Sequence, residues 1–181
     1  MDFDDKGNLI GGILESDLEE VEQYLVLDFP NSITRKRNFE GLKLLIYTLK
    51  DLKLIEGVSK LWLDGSFCTN KNNPNDIDIV VLTKPFQEQG NTIFKNGIKI
   101  RDVFIKHNLD LYFLPDFNVR EEEKFEIINN HPGINDIKHF NELIKSEKFE
   151  YHAKYWMGQF GYDRLNNHKA IISIEGCELC D

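Results

Sequence analysis

Cysteine is scarce: three residues in a chain of 181, an odd number that closes no disulfide framework. No stretch approaches the ~18 consecutive apolar residues of a membrane helix. The amino terminus, Met1-Asp2-Phe3-Asp4-Asp5, is acidic where a secretory signal carries basic residues. These absences lead us to expect a cytoplasmic protein with no membrane association. Basic residues are outnumbered, 22 against 31, which leaves a net charge of −9. Such a chain repels phosphate backbones, so non-specific DNA or RNA binding is not the expected function. A small anionic ligand held through metal ions stays open, because a local site can oppose the net charge. The chain also has no repeat, low-complexity run or Pro/Gly/Ser linker, and one domain over residues 1–181 is expected.

What is present suits a packed core. Hydrophobic residues make up 41% and charged residues 29%, and 13 phenylalanines supply bulk, which argues against disorder of the whole chain. Gly11-Gly12 signals a turn, and Ser16 with Glu19 three residues on has capping-box spacing for a short helix ended by Pro30-Asn31-Ser32. Residues 34–55 carry Phe39, Leu42, Leu45, Ile46, Leu49 and Leu52 at helical spacing, with Gly57 as the stop. The period then changes. Leu61-Trp62-Leu63 reads as a buried strand running to Asp64-Gly65-Ser66, and Asp76 to Leu82 as a second, rich in β-branched residues. Residues 91–105 read as one element, helix or strand, around Gly97. Leu109 to Leu114 reads as a third strand, 136–157 as a helix, and Lys169 to Ile174 as a closing strand. The fold class is α+β, or mixed α/β.

The chemistry concentrates in three aspartates. Asp76 and Asp78 are two apart in a strand and so share a face, within an apolar segment where paired carboxylates repel and are costly to desolvate. A divalent cation between them removes both objections, and Mg²⁺ favours a few carboxylates plus substrate phosphates. Asp110, in the third strand, completes a three-carboxylate site if that strand lies beside the second. Gly65-Ser66 ends the first strand, where glycine lets backbone approach a phosphate and Ser66 offers N–H and hydroxyl donors.

Gly65-Ser66, nine residues, Asp76-Ile77-Asp78-Ile79, then a carboxylate 32 residues after Asp78 in a later strand: this order resembles the nucleotidyltransferase superfamily, the polymerase-β-like fold. The full block Gly65-Ser66-Phe67-Cys68-Thr69-Asn70-Lys71-Asn72-Asn73-Pro74-Asn75-Asp76-Ile77-Asp78 resembles small stand-alone bacterial proteins of that superfamily. So does Phe160-Gly161-Tyr162-Asp163-Arg164 ahead of Lys169-Ala170-Ile171-Ile172. The resemblance implies a central mixed sheet flanked by helices. It also implies an enzyme that uses Mg²⁺ or Mn²⁺ to move a nucleoside monophosphate from a nucleoside triphosphate to an acceptor hydroxyl, releasing pyrophosphate. Asp76, Asp78 and Asp110 would be both catalytic and metal-holding, with Asp110 also helping to deprotonate the acceptor. Gly65, Ser66, Thr69 and Lys71 would contact the nucleotide. The acceptor is open among a protein side chain, a tRNA end, an antibiotic and another nucleotide. The implied setting is bacterial toxin–antitoxin or antiphage defence, with a protein partner. The alternative is an inactive interaction module on the same fold.

Other residues carry weaker signals. Thr69 and Lys71 read equally as phosphate contacts or as solvated loop. Asp64 reads as a bond to the turn at the strand end, or as a further acid near the metals. Arg35-Lys36-Arg37 sets three cations at a helix start, against the dipole, and reads as a solvated helix start or as a site for triphosphate or an acidic partner. Arg164 pairs with Asp163 or meets a ligand. Cys177-Glu178-Leu179-Cys180 has zinc-knuckle spacing but lacks two further ligands, so a frayed tail is expected, and Cys68 reads as a packing residue.

Overall fold

The computed structural model describes residues 1–118, 121–130, 133–146 and 149–180, the side chains of 121–123, 146 and 149–151 excepted. Five strands form one mixed sheet in the order β1-β5-β2-β3-β4. They are β1 (Ile13–Glu15), β2 (Val58–Asp64), β3 (Ile77–Thr83), β4 (Leu109–Pro115) and β5 (Ile171–Glu175). Central β2 is antiparallel to both β3 and β5, while β1 runs parallel to β5 and β4 parallel to β3. The three strands expected to carry the Gly-Ser turn, Asp-Ile-Asp and Asp110 are therefore neighbours.

Strand side chains alternate between faces. Leu61, Leu63, Ile79, Val81, Leu111, Ile172 and Ile174 bury one face against α2 (Arg35–Asp51), whose Phe39, Leu42, Leu45, Ile46 and Leu49 form the expected stripe. The other face presents Trp62, Val80, Leu82, Leu114 and Ile171 to α7 (Phe149–Phe160), where Tyr112 meets Trp156 at 4.4 Å between ring centroids.

Several local readings need correction. The cap of α1 (Leu18–Glu22) is Asp17, whose carboxylate accepts from the Glu20 N–H at 2.8 Å; Ser16 Oγ instead donates to the Glu20 carboxylate at 2.9 Å. The helix then widens into a π-turn, Gln23–Leu27. Helix α2 stops at Asp51 rather than near Gly57. Lys53 adopts a left-handed φ of 55°, and the Leu54 N–H bonds back to the Leu49 carbonyl at 2.8 Å. The single element expected over 91–105 is two helices, α3 (Glu88–Lys95) and α4 (Gly97–Phe104); Gly97 starts the second, and a Cβ there would overlap the Phe113 ring. The single helix expected over 136–157 is also two, α6 (Ile137–Ser146) and α7. They answer to different partners: Phe140 of α6 meets Phe86, and Trp156 and Phe160 of α7 meet Tyr112. Helix α5 (Glu121–Asn130) and strand β1 were not anticipated. The tail at Cys177 folds into a 3-10 turn, Gly176–Leu179, with Leu179 buried. Among the described residues no helix is long and apolar enough to cross a membrane.

Candidate active site

Strand pairing sets the centre of the site. Asp64 on β2 lies directly across from Asp78 on β3, and Asp78 directly across from Asp110 on β4. By strand alternation all three share the face of Trp62, Val80 and Tyr112. The result is a row of carboxylates across three adjacent strands at one end of the sheet. Asp76 lies just outside β3, half-buried.

Asp78 is the middle of this row. Burial pushes its carboxyl up to about 6, and the charges of Asp76 and Asp110 push the same way against Lys169 and Arg164. Gly65 lies under it. The glycine holds a φ of 76°, a left-handed conformation disfavoured for side-chain-bearing residues, and a Cβ there would overlap the Asp78 carboxylate. Glycine is required at this place for conformation and for space. Among the described residues the neighbouring Ser66 hydroxyl has no protein partner.

Each end of the row carries a cation. Asp64 is not a turn-bonding residue first of all: its carboxylate meets Lys169 Nζ at 2.9 Å, with both side chains almost fully buried. Burial pushes Asp64 up to about 7, against the pull of Lys169 and of the Gly65 N–H. At the other end Arg101 of α4 meets Asp110 Oδ1 at 3.0 Å, and the Tyr112 hydroxyl donates to Asp110 Oδ2 at 2.7 Å. Burial, and then that bond, raise the Tyr112 hydroxyl to about 12. Among the described residues no three His, Cys, Asp or Glu side chains form a ready metal cluster. Asp110 faces Arg101 and Tyr112, and Asp64 faces Lys169.

The loop from Gly65 to Asp76 is held by α2, and here the Arg35-Lys36-Arg37 reading is overturned for Arg35. The Arg35 side chain is wholly buried and donates to four backbone carbonyls: Leu25 at 2.8 Å, Phe67 at 2.8 Å, Thr69 at 2.6 Å and Lys71 at 2.7 Å. Its guanidinium stacks on Phe29 at 3.7 Å, and burial lowers it to about 10. Carbonyl dipoles, not the helix end, explain this cation. Lys36 and Arg37 remain exposed. Asn38 adds a bond to the Pro74 carbonyl at 3.0 Å, and Asn73 Oδ1 accepts from the Ile33 N–H at 2.9 Å. Within the loop the Thr69 hydroxyl donates to the Ser66 carbonyl at 2.8 Å and accepts from the Lys71 N–H at 3.2 Å. Thr69 thus builds the turn, and Lys71 points into solvent.

Asp163 does not pair with Arg164. It accepts from Asn8 Nδ2 at 2.9 Å, from Asn167 Nδ2 at 2.8 Å, and from the Leu165 and Asn167 N–H groups, which holds it far below the usual carboxylate range. This turn leaves Arg164 exposed, with its charge felt at Asp78. Cys177 and Cys180 are exposed free thiols, and Cys68 is fully buried, its thiol pushed up by burial. Sequence reasoning assigned no role to Lys169, Arg101 or Tyr112. Tyr112 carried a signal, sitting two residues from Asp110 on the same strand face. Lys169 stands in the segment that carries the resemblance, without a role there, and Arg101, on a distant helix, carried no signal.

The fold and this row define a mixed α/β domain with clustered acids on one face of a β2-β3-β4 sheet. The chain belongs to DUF6932, a family of unknown function, whose profile matches residues 1–175, from the amino terminus through Lys169 to the end of β5. No curated protein and no solved structure matches the chain.

Proposed function

We propose that the protein is a metal-dependent nucleotidyltransferase that moves a nucleoside monophosphate from a nucleoside triphosphate to an acceptor hydroxyl, releasing pyrophosphate. The observation that carries this reading is the register: Asp78 faces Asp110 across β3 and β4, with the Gly65-Ser66 turn packed against Asp78. The donor set fits a hard divalent cation such as Mg²⁺ or Mn²⁺, because Asp76, Asp78 and Asp110 offer only carboxylate oxygens. Burial raises the Asp78 carboxyl first and the charges of Asp76 and Asp110 add to it, and that added charge is what a cation would relieve. Asp76, Asp78 and Asp110 would hold it, after Arg101 releases one oxygen of Asp110. When bound, the metal supplies electrostatic stabilisation of the attacking and leaving oxygens.

The chain's own groups have separable roles. Ser66 donates its free hydroxyl to a phosphate oxygen, and Gly65 lets the backbone approach closely. Arg101, released from Asp110, and Arg164 offer guanidinium groups to phosphate oxygens. Asp110 accepts the acceptor's proton. Lys71 is an exposed cation at the mouth of the loop. The test is to incubate the protein with each α-labelled nucleoside triphosphate, Mg²⁺ or Mn²⁺, and a lysate, and to follow the label. Transfer lost in Asp78→Asn and Asp110→Asn supports the reading. No transfer with any nucleotide favours a second reading, an inactive interaction module, for which the Arg101 and Tyr112 contacts on Asp110 speak.

A further inference from the structure

The pair Asp64–Lys169 has no part in the reaction just described, yet it is the most deeply buried ion pair among the described residues that touches the site. Lys169 does two things at once. Its ammonium meets Asp64 Oδ1 at 2.9 Å and donates to the Gly65 carbonyl at 3.3 Å. Its own backbone is fixed, because the Lys169 N–H bonds to the Gly161 carbonyl at 2.8 Å and the Ala170 N–H to the Leu9 carbonyl at 2.9 Å. A chain segment 104 residues downstream therefore ties down the turn on which the Asp78 carboxylate rests.

That arrangement raises an electrostatic difficulty. An ammonium buried beside a cation site repels the cation, and the low-polarity surroundings screen it poorly. Asp64 sits directly across from Asp78 and meets the same ammonium, so it cancels that charge where it arises. The influence of Lys169 on Asp78 is otherwise plain, since its charge favours the ionised Asp78. We propose that Asp64 is the built-in counter-ion of Lys169 at this site: it neutralises the ammonium so that the row keeps its affinity for a divalent cation. This rests on the nucleotidyltransferase reading of Asp76, Asp78 and Asp110.

The account predicts a pattern in which removing two charges does less harm than removing one. Asp64→Asn leaves the ammonium uncompensated beside Asp78, while Asp64→Asn with Lys169→Gln returns the local charge to neutral. Mn²⁺ binding, followed by the loss of the free-ion electron paramagnetic resonance signal, reads this without any turnover. Asp64→Asn should weaken Mn²⁺ binding roughly fivefold. The double variant should return to within about twofold of wild type, and Lys169→Arg, which keeps the charge, should also stay within about twofold. If Asp64→Asn does not fold, Asp64→Ser with and without Lys169→Gln repeats the comparison at the same charges. Unchanged binding in Asp64→Asn, or a double variant as weak as the single, would overturn the proposal and leave the pair a purely structural contact. Absence of Mn²⁺ binding in the wild type would overturn the nucleotidyltransferase reading and this one together, and is told apart because it appears before any substitution.

Discussion

The row Asp64–Asp78–Asp110 ends in a cation on each side, and the two ends are built for different purposes. Lys169 meets Asp64 with side chains 6% and 5% exposed, held by a backbone that is itself pinned. Arg101 meets Asp110 with side chains 44% and 26% exposed. Similar distances, 2.9 and 3.0 Å, thus describe a fixed joint and an exchangeable one. Breaking a buried pair strands a charge without water, whereas breaking an exposed one hands both groups to solvent. Contact length alone does not rank ion pairs; burial does. The proposed metal site is at the exposed end of the row, where the counter-ion is in contact with solvent.

The largest effect should come from a third cation, Arg35, which belongs to the fixed side. Arg35→Met leaves the carbonyls of Leu25, Phe67, Thr69 and Lys71 without their donor. A stability loss of about 4 kcal/mol is expected in urea unfolding. A change of less than about 1 kcal/mol, or the small gain that helix-dipole reasoning gives for removing a cation from a solvated helix start, would break the assignment. Next, Lys169→Met should cost about 3 kcal/mol by the same measurement, since Asp64 is left buried and unpaired.

Asp78→Asn should have the opposite sign. The folded state holds a proton on Asp78 up to about pH 6, whereas the unfolded chain releases it near pH ~4. Between those values the folded state binds more protons, so stability falls as pH rises through the window. Without metal, Asp78→Asn should be about 2 kcal/mol more stable than wild type at neutral pH and should flatten this slope. A variant less stable than wild type at neutral pH would mean that Asp78 is a structural acceptor. The smallest effect is expected of Arg101→Gln. The exposed pair contributes under ~1 kcal/mol, so unfolding should hardly change. The comparison between the two ends fails if Arg101→Gln costs as much as Lys169→Met.

Much of this layout was readable from the chain. The apolar spacing of α2 and the three site strands follow from periodicity, and the placement of Asp78 and Asp110 in neighbouring strands is what the resemblance carried by the Gly-Ser and Asp-Ile-Asp order implies. Helix ends were less legible, because Lys53 adopts a left-handed conformation that a reader expects of glycine. Arg35 was misread for a physical reason. A cation at a helix start violates a local rule, and the compensation lies in carbonyls up to 36 residues away. The partners of Asp64 and Asp110 were invisible on the same ground, since Lys169 reaches Asp64 only through folding of the whole sheet. Sequence shows which acids share a strand face, and tertiary structure decides which of them are already neutralised.

The central claim, that Asp78 holds a divalent cation together with Asp76 and Asp110, is tested most directly by melting the wild type and Asp78→Asn across a Mg²⁺ titration. A ligand bound only by the folded state raises the melting temperature by mass action. The wild type should therefore climb with Mg²⁺ while Asp78→Asn, starting higher, stays level. Parallel rises in the two proteins would contradict the claim.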